Sequence, residues 1–254
     1  MAGVACFTFD NMGEAAEIGS GIAAATGHAP HPSLERGYPA FFDLLDRHGI
    51  RATFFVEGWN GERHPDTVAE IVRRGHELGM HGWVHEHWSG LDPRREADLA
   101  ARATAALERA AGVRPLGFRA PGGARGPRTE SILRALGYVY DASLGDGMRA
   151  TVLPSGLVQI PFVWPCVDGL YYLREAPADP AEVRAAWLRA LARAAEGGGL
   201  FVTICHAFLT GVDAERLGAL DAVMRAAIAD PRITIKTAGE VARDVLAAAE
   251  VDTQ

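Results

Sequence analysis

Cysteine is scarce in this 254-residue chain, which contains only Cys6, Cys166 and Cys205. An odd number of widely separated cysteines without a CxxC pair excludes a disulfide framework and favours a reducing compartment. The N-terminal stretch MAGVACFTFD also lacks the basic and long apolar segments of a secretory signal peptide. Together these absences predict a cytoplasmic protein.

The sequence lacks long hydrophobic runs and any excess of positive charge. No apolar stretch reaches 18 residues, so we expect no transmembrane helix. The formal net charge is −7 and the isoelectric point is about 5.7, which excludes the basic character of nucleic-acid and anionic-membrane binders. The partner expected for such a chain is a small molecule or an oligosaccharide. The oligomeric state stays open between a monomer and a homo-oligomer.

Strand-like and helix-like segments alternate along the whole chain. Residues 4–9 form a buried strand pattern, for example, whereas residues 66–78 and 93–111 have apolar residues at helical spacing. About seven such repeats within one domain, residues 1–254, predict an α/β fold with a mostly parallel sheet. We expect a closed or nearly closed barrel with about seven parallel strands, and a doubly wound open sheet is the alternative.

Polar residues follow four of the predicted strands. Asp10 comes after VACFTF, His81 and His85 after GHELGM, Arg119 after LGF, and His206 after LFVTIC. Because the carboxyl ends of parallel strands meet at one rim of a barrel, these side chains are expected to form one site.

The densest of these clusters is HGWVHEHW, residues 81–88. Alone, an HxxxH spacing is more often a structural or solvated histidine pair than a metal site. Gly82 and the β-favouring residues after it argue against a helix, so the His81 and His85 rings would converge through a loop. Catalytic zinc sites use two or three histidines with a carboxylate and leave one position for water. With Asp10, Arg119 and His206 nearby, the parts of metal-assisted hydrolysis are present.

Five motifs resemble, in order, those of the polysaccharide deacetylases, the NodB homology domain of carbohydrate esterase family 4. They are TFDN at 8–11, HGWVH at 81–85, FRAPGG at 118–123, YDASL at 140–144 and TICHAFLTG at 203–211. The resemblance extends from residue 4 to about residue 245. It implies a distorted (β/α) barrel, in agreement with the pattern of strands and helices.

The resemblance also implies residue roles. Asp10 matches the catalytic base, and His206 matches the general acid that protonates the leaving amine. Arg119 matches the cation that orients the base, within a motif that includes Pro121 and Gly123. His81 and His85 match the metal pair, and the implied cofactor is a divalent cation, zinc or alternatively cobalt or another ion.

Position 11 departs from the family pattern, because Asn11 replaces a metal-binding aspartate. A neutral amide oxygen binds a divalent cation less well than a carboxylate. Three outcomes are open: Asn11 is a weak ligand, Asp10 binds the metal itself, or Glu14 supplies the carboxylate. Two histidines with a neutral third ligand would hold the metal loosely.

The segment CHAFLTG resembles a branch that includes peptidoglycan-deacetylase-like proteins and metal-independent allantoinases. The retained HxxxH favours a metal-dependent hydrolase, most simply an N-deacetylase of an acylated sugar or oligosaccharide. The alternatives are a cyclic amide or imide hydrolase and a non-catalytic carbohydrate-binding relative. Asp141, Ser143 and Asp168 are candidates to orient the base or the acid. The candidate substrate-binding residues are Pro121, Gly123, Trp83, Trp88, Asp141 and Trp164.

Overall fold

The structure is a computed structural model that describes residues 2–21, 31–145 and 148–251. The strands are β1 Gly3–Asp10, β2 Thr53–Val56, β3 Glu77–Met80, β4 Gly117–Phe118, β5 Tyr140–Asp141, β6 Thr151–Val152, β7 Val158–Gln159, β8 Leu200–His206 and β9 Ile233–Ile235. The α-helices are α1 Ala15–Gly19, α2 Tyr38–His48, α3 Gly58–Arg63, α4 Pro65–Arg73, α5 Pro93–Ala111, α6 Thr129–Ala135, α7 Gly169–Tyr172, α8 Pro180–Gly197, α9 Ala214–Ala229 and α10 Ala238–Val251.

Capping residues define the ends of the long helices. In α5, the Asp92 carboxylate accepts hydrogen bonds from the backbone nitrogens of Arg94 and Arg95, and a proline occupies the first turn. The same aspartate–proline start occurs before α8, at Asp179. Helix α5 stops at Gly112, whose φ of 71° is the left-handed conformation that glycine adopts without strain.

The strands form one sheet in the order β6-β7-β5-β4-β3-β2-β1-β8, with β9 pairing to the start of β1. Among the described strands, only the β6–β7 pair is antiparallel. Every described strand except β6 therefore runs in the same direction. Past β7, isolated parallel bridges join Leu144 to Phe162 and Val167 to Ile204. The second bridge brings the chain after β7 against β8, at the far edge of the sheet. The sheet therefore curls into the distorted (β/α) barrel that the sequence predicts.

The predicted helix at 66–78 is too long. Helix α4 ends at Arg73, Gly75 adopts a φ of 80°, and strand β3 starts at Glu77. The apolar residues of β3 continue the helical spacing of α4, which is why the pattern does not show the break. The boundary is set by Gly75 instead.

The core lies on both faces of the sheet and is rich in aromatic residues. Phe9 packs against Phe41 and Phe54, with ring centroids 4.3 and 4.8 Å away. Cys205 is fully buried inside this core, and burial raises its pKa well above the usual value, so it is a neutral thiol and not a nucleophile. Among the described helices, none is long and apolar enough to span a bilayer.

Candidate active site

The register of the sheet brings the predicted residues to one rim. Asp10, the last residue of β1, is paired directly with His206, the last residue of β8. Met80 is paired with Phe118, so the residues that follow them, His81 and Arg119, leave the sheet at the same level. All four side chains, together with His85, line one cavity of about 270 Å³. The expected convergence at the carboxyl ends of the strands is therefore found.

Asp10 and Arg119 form a buried ion pair. Arg119 Nη1 donates to Asp10 Oδ1 at 2.7 Å and to Thr8 Oγ1 at 2.8 Å, and Nε donates to the Ala142 carbonyl at 2.9 Å. The guanidinium carbon lies 4.2 Å from the centroid of the Phe55 ring. These contacts fix one carboxylate oxygen of Asp10 in place. Its second oxygen, Oδ2, is the one nearest to His81.

The loop that carries His81 and His85 is a turn and not a helix, as the sequence predicts. The Glu86 carboxylate accepts hydrogen bonds from the backbone nitrogens of Trp83 and Val84 at 2.9 and 3.1 Å. Gly82 has a φ of 74°, and a Cβ there would lie 2.9 Å from Glu86 Oε2. Only glycine fits this position. The turn places the His81 and His85 ring centroids 5.0 Å apart.

Both histidines of this pair are neutral at physiological pH. Burial lowers the pKa of His81 to about 3, and burial together with the charge of neighbouring histidines lowers that of His85 to about 3. His81 Nδ1 donates to the Arg119 carbonyl at 2.8 Å, which leaves the lone pair on Nε2. That nitrogen lies 3.9 Å from Asp10 Oδ2. An imidazole fixed by a backbone carbonyl and presenting Nε2 is the form that binds metals.

The residues present supply part of the ligand set of a catalytic metal site. Two neutral imidazoles are present, and Asp10 Oδ2 or the Asn11 side chain would supply the oxygen ligand. Among the described residues, no group of three or more His, Cys, Asp and Glu side chains is arranged to hold a metal ion. Glu14 does not complete the set, because its carboxylate pairs with His64 Nε2 at 3.1 Å and lies 3.9 Å from Arg63 Nε. Glu14 is also not among the residues that line the cavity.

Asn11 has a buried partner that the motif analysis misses. Its Nδ2 donates to Glu57 Oε1 at 2.6 Å, while Glu57 Oε2 accepts from Met12 N and Asn60 Nδ2, each at 3.0 Å. Burial raises the pKa of Glu57 to about 8 despite these hydrogen bonds. Glu57 follows strand β2 directly, as Asp10 ends β1, and that shared position is the sequence signal that identifies it.

The pKa of His206 is shifted in the opposite direction to those of His81 and His85. Its Nδ1 contacts Asp168 Oδ1 at 2.5 Å, and the other Asp168 oxygen accepts from His206 N and Thr210 Oγ1, each at 2.7 Å. Burial lowers the pKa of His206, but the charge and hydrogen bond of Asp168, with smaller contributions from Asp10 and Glu57, outweigh it. The net effect is a raised pKa. Asp168 therefore orients His206. The sequence names it only as one of three candidates for such a role.

Several predicted substrate-binding residues lie away from the cavity. Trp83 and Trp88 are buried in the core, where Trp88 Nε1 donates to Glu96 Oε1 at 2.9 Å. Asp141 is fully buried, accepts a hydrogen bond from Ser143 Oγ at 2.6 Å and pairs with Arg125. None of these three side chains lines the cavity. The side chains are structural, and burial raises the pKa of Asp141 to about 6.

The FRAPGG segment does border the cavity. Ala120, Gly122 and Gly123 line it, whereas Pro121 is buried behind them. Gly123 has a φ of 80°, and a Cβ there would lie 2.8 Å from the Phe162 ring. Ser143 Oγ accepts from Ala120 N at 2.9 Å, so the Asp141–Ser143 pair holds this loop in place. Trp164, the remaining predicted residue, lines the cavity and is 43% exposed.

Comparisons with known proteins agree with the geometry. The family model described as polysaccharide deacetylase matches residues 3–140, which is more than half of the chain. The peptidoglycan deacetylase-like protein FGM2 of Gibberella zeae is 36% identical over 123 residues, covering 47% of this chain and 36% of that protein. The chain thus matches little more than a third of the length of this curated relative.

Solved structures match over nearly the whole chain. One match is a solved structure from Mycobacterium smegmatis that has been assigned to the polysaccharide deacetylases. It is 29% identical to this chain, with a TM-score of 0.90, and the match covers 96% of this chain and 90% of that one. The PuuE allantoinase shares the fold, with a TM-score of 0.81 at 20% identity and coverage of 95% and 90%. The family match, joined to the rim geometry, shows that this chain belongs to the polysaccharide deacetylase family.

Proposed function

We propose that the protein is a metal-dependent hydrolase of a non-peptide carbon–nitrogen amide bond, acting as an N-deacetylase on an acylated sugar or oligosaccharide in the cytoplasm. The observation that carries the proposal is the composition of the rim cavity. It joins a carboxylate held by an arginine, two neutral histidines and a histidine with a raised pKa. These are the groups that amide hydrolysis needs on either side of the scissile bond.

His81 and His85 would hold the cation, with Asp10 Oδ2 or the Asn11 side-chain oxygen as the third donor. A bound divalent ion would polarise the acyl carbonyl and lower the pKa of the attacking water. The neutral state of both imidazoles supports this assignment, since a protonated histidine cannot be a ligand.

The chain's own residues account for the proton transfers. With Asn11 as the third donor, Asp10 Oδ2 accepts a proton from the attacking water, while Arg119 keeps Oδ1 engaged and the carboxylate fixed. His206, protonated and held by Asp168, donates a proton to the departing amine. The carbon–nitrogen bond breaks, a carbon–oxygen bond forms, and the products are a carboxylic acid and a free amine. Asp10 and His206 end the neighbouring strands β1 and β8, so both reach the space for the substrate.

The test combines metal content with turnover. Protein purified without chelator and then loaded with zinc or cobalt is analysed by mass spectrometry and assayed on N-acetylglucosamine oligomers. We expect about one metal ion per chain, and loss of both metal and turnover in His81→Ala. His87→Ala is the matched control, because His87 belongs to the same loop but is exposed.

Three results would contradict the proposal. Turnover that survives in His81→Ala would exclude the metal mechanism. Full activity on a cyclic amide after chelation would favour the allantoinase-type alternative. Binding of acylated sugars without hydrolysis of any amide, with metal supplied, would identify a carbohydrate-binding relative.

A further inference from the structure

The wall of the cavity outside the reacting residues is almost entirely apolar. Besides Asp10, Arg119 and the three histidines, the described lining residues are Ala120, Gly122, Gly123, Phe162, Trp164, Val167, Gly169, Leu170, Leu173 and Ile204. The indole N–H of Trp164 is the only side-chain hydrogen-bonding group among these ten. A sugar hydroxyl placed against this wall would leave water without gaining a side-chain partner.

Backbone donors along the wall are largely used within the protein. Ala120 N donates to Ser143 Oγ, and Gly123 N donates to the Ala120 carbonyl. Val167 N and Leu170 N donate to carbonyls of Trp164 and Val167. At these four positions the backbone N–H is therefore not free to replace a missing side-chain partner.

The apolar wall has a deep part and an outer part. Phe162, Val167 and Ile204 are at most 4% exposed, whereas Trp164 and Leu173 are 43% and 65% exposed. The reacting groups Asp10 and His81 are also deeply buried. The acyl carbonyl of a substrate must therefore enter deeply, and the hydroxyl-rich sugar can stay near the exposed Trp164 ring, in contact with water.

We propose that the cavity accepts an aliphatic acyl chain longer than acetyl. This inference rests on the proposed function and specifies its substrate as an N-acyl amino sugar with several carbons in the acyl group. Hydrolysis adds water across the amide, releasing the fatty acid and the free amino sugar. The cavity volume of about 270 Å³ lies near the lower end of small-molecule sites but well exceeds one methyl group.

Acyl-chain length is the direct test. The metal-loaded protein is assayed on glucosamines that carry N-acyl groups of two, four, six and eight carbons. Each buried methylene should raise kcat/KM by roughly threefold to fourfold until the cavity is full, after which kcat/KM should fall. A maximum at acetyl, with a decline for every longer chain, would overturn the inference and leave the proposed deacetylase function intact.

Gly169→Ala provides a matched probe of cavity size. A Cβ there would lie 3.4 Å from Leu173 Cδ1, 3.8 Å from His206 Cε1 and 4.0 Å from Val167 Cγ1, which are ordinary contacts. The added methyl should move the preferred acyl length downward by about one carbon. Gly218→Ala is the control, since a Cβ there on α9 meets nothing within 4 Å. An unchanged length preference in Gly169→Ala would count against the inference.

Binding separates this inference from the proposed function. If the loaded protein hydrolyses no member of the series, the deacetylase proposal fails. Calorimetry with the same N-acylglucosamines on His206→Ala then tests whether the cavity binds the acyl chain. Affinity that rises with acyl length would support the apolar site. Affinity that is independent of length would overturn it.

Discussion

The two sides of the cavity hold the same residue type with pKa values shifted in opposite directions. On one side, His81 and His85 are buried beside each other and near Arg119, and each has its pKa lowered to about 3. On the other side, His206 is partly buried, but Asp168 contacts its Nδ1 and its pKa is raised. Burial disfavours the charged form of all three. The difference is the hydrogen-bond partner, a backbone carbonyl for His81 and a carboxylate for His206.

In the proposed mechanism, this contrast separates the metal ligands from the general acid. A histidine that must bind a cation needs a free lone pair, and a histidine that must protonate a leaving group needs its proton. Both sides carry the same residue type in the sequence. Asp168, which is 38 residues before His206 along the chain, is what distinguishes them.

The largest effects should come from removing one histidine on each side. We expect His85→Ala to lose metal and to lower turnover by roughly 10³-fold or more. His206→Ala should keep its metal and lower turnover by about 10²- to 10⁴-fold, the usual contribution of a general acid. Metal content by mass spectrometry, measured beside kcat, checks the difference. If both variants lose metal, the two sides are not separate.

Asp168→Asn should shift the pKa of His206 in the same direction as the pKa values of His81 and His85. Without the carboxylate, burial dominates and the pKa of His206 falls. Because the protonated form is the active one, the upper limb of the kcat/KM profile should move to lower pH. Turnover should drop by roughly tenfold or more at about pH 8 and by less at about pH 6.

The pH profile, together with nuclear magnetic resonance of the His206 ring, measures this shift. Thermal unfolding serves as the control, since Asp168 also accepts hydrogen bonds from His206 N and Thr210. A uniform loss of activity at every pH would mean that Asp168 has a structural role only.

The sequence predicts the groups that end strands and misses those that act through a partner. Asp10, Arg119 and His206 are identifiable because β1, β4 and β8 end beside them, and parallel strands end at one rim. The Asn11–Glu57 hydrogen bond depends on the pairing of β1 with β2. The Asp168–His206 contact depends on a chain segment that returns to β8 through a single bridge at Val167. Such contacts have no periodic signal. The sequence also does not show that Trp83 and Trp88 are buried, because composition alone does not indicate which face of a loop packs against the core.

The proposed metal ligands can be altered through the hydrogen bond between Asn11 and Glu57. In the single variant Glu57→Gln, the new side-chain oxygen would serve Met12 N and Asn60 Nδ2, and the new amide nitrogen would then face Asn11 Nδ2. Asn11 would have to turn its oxygen toward position 57, where it could no longer serve as the proposed metal ligand. We therefore expect zinc affinity to fall in this single variant.

The double variant Asn11→Asp with Glu57→Gln should restore every hydrogen bond with the charge moved to position 11. A carboxylate ligand then replaces a neutral amide, so zinc affinity should exceed that of the natural protein by roughly tenfold. Competition with a coloured chelator measures both variants. Equal affinity in the double variant and the natural protein would show that position 11 is not a ligand and that Asp10 supplies the oxygen.

The smallest expected effects concern the tryptophans. Trp164→Ala removes an exposed ring at the cavity mouth, and KM for an N-acylated sugar should rise by about 2- to 10-fold, the range of aromatic stacking energies. Trp88→Phe instead deletes the indole donor to the buried Glu96, so the free energy of unfolding should fall by about 1–3 kcal/mol while KM stays constant. Steady-state kinetics and denaturant unfolding, run on both variants, separate the two roles. A raised KM in Trp88→Phe would return that residue to the substrate site, and an unchanged KM in Trp164→Ala would mean that the sugar does not rest on this ring.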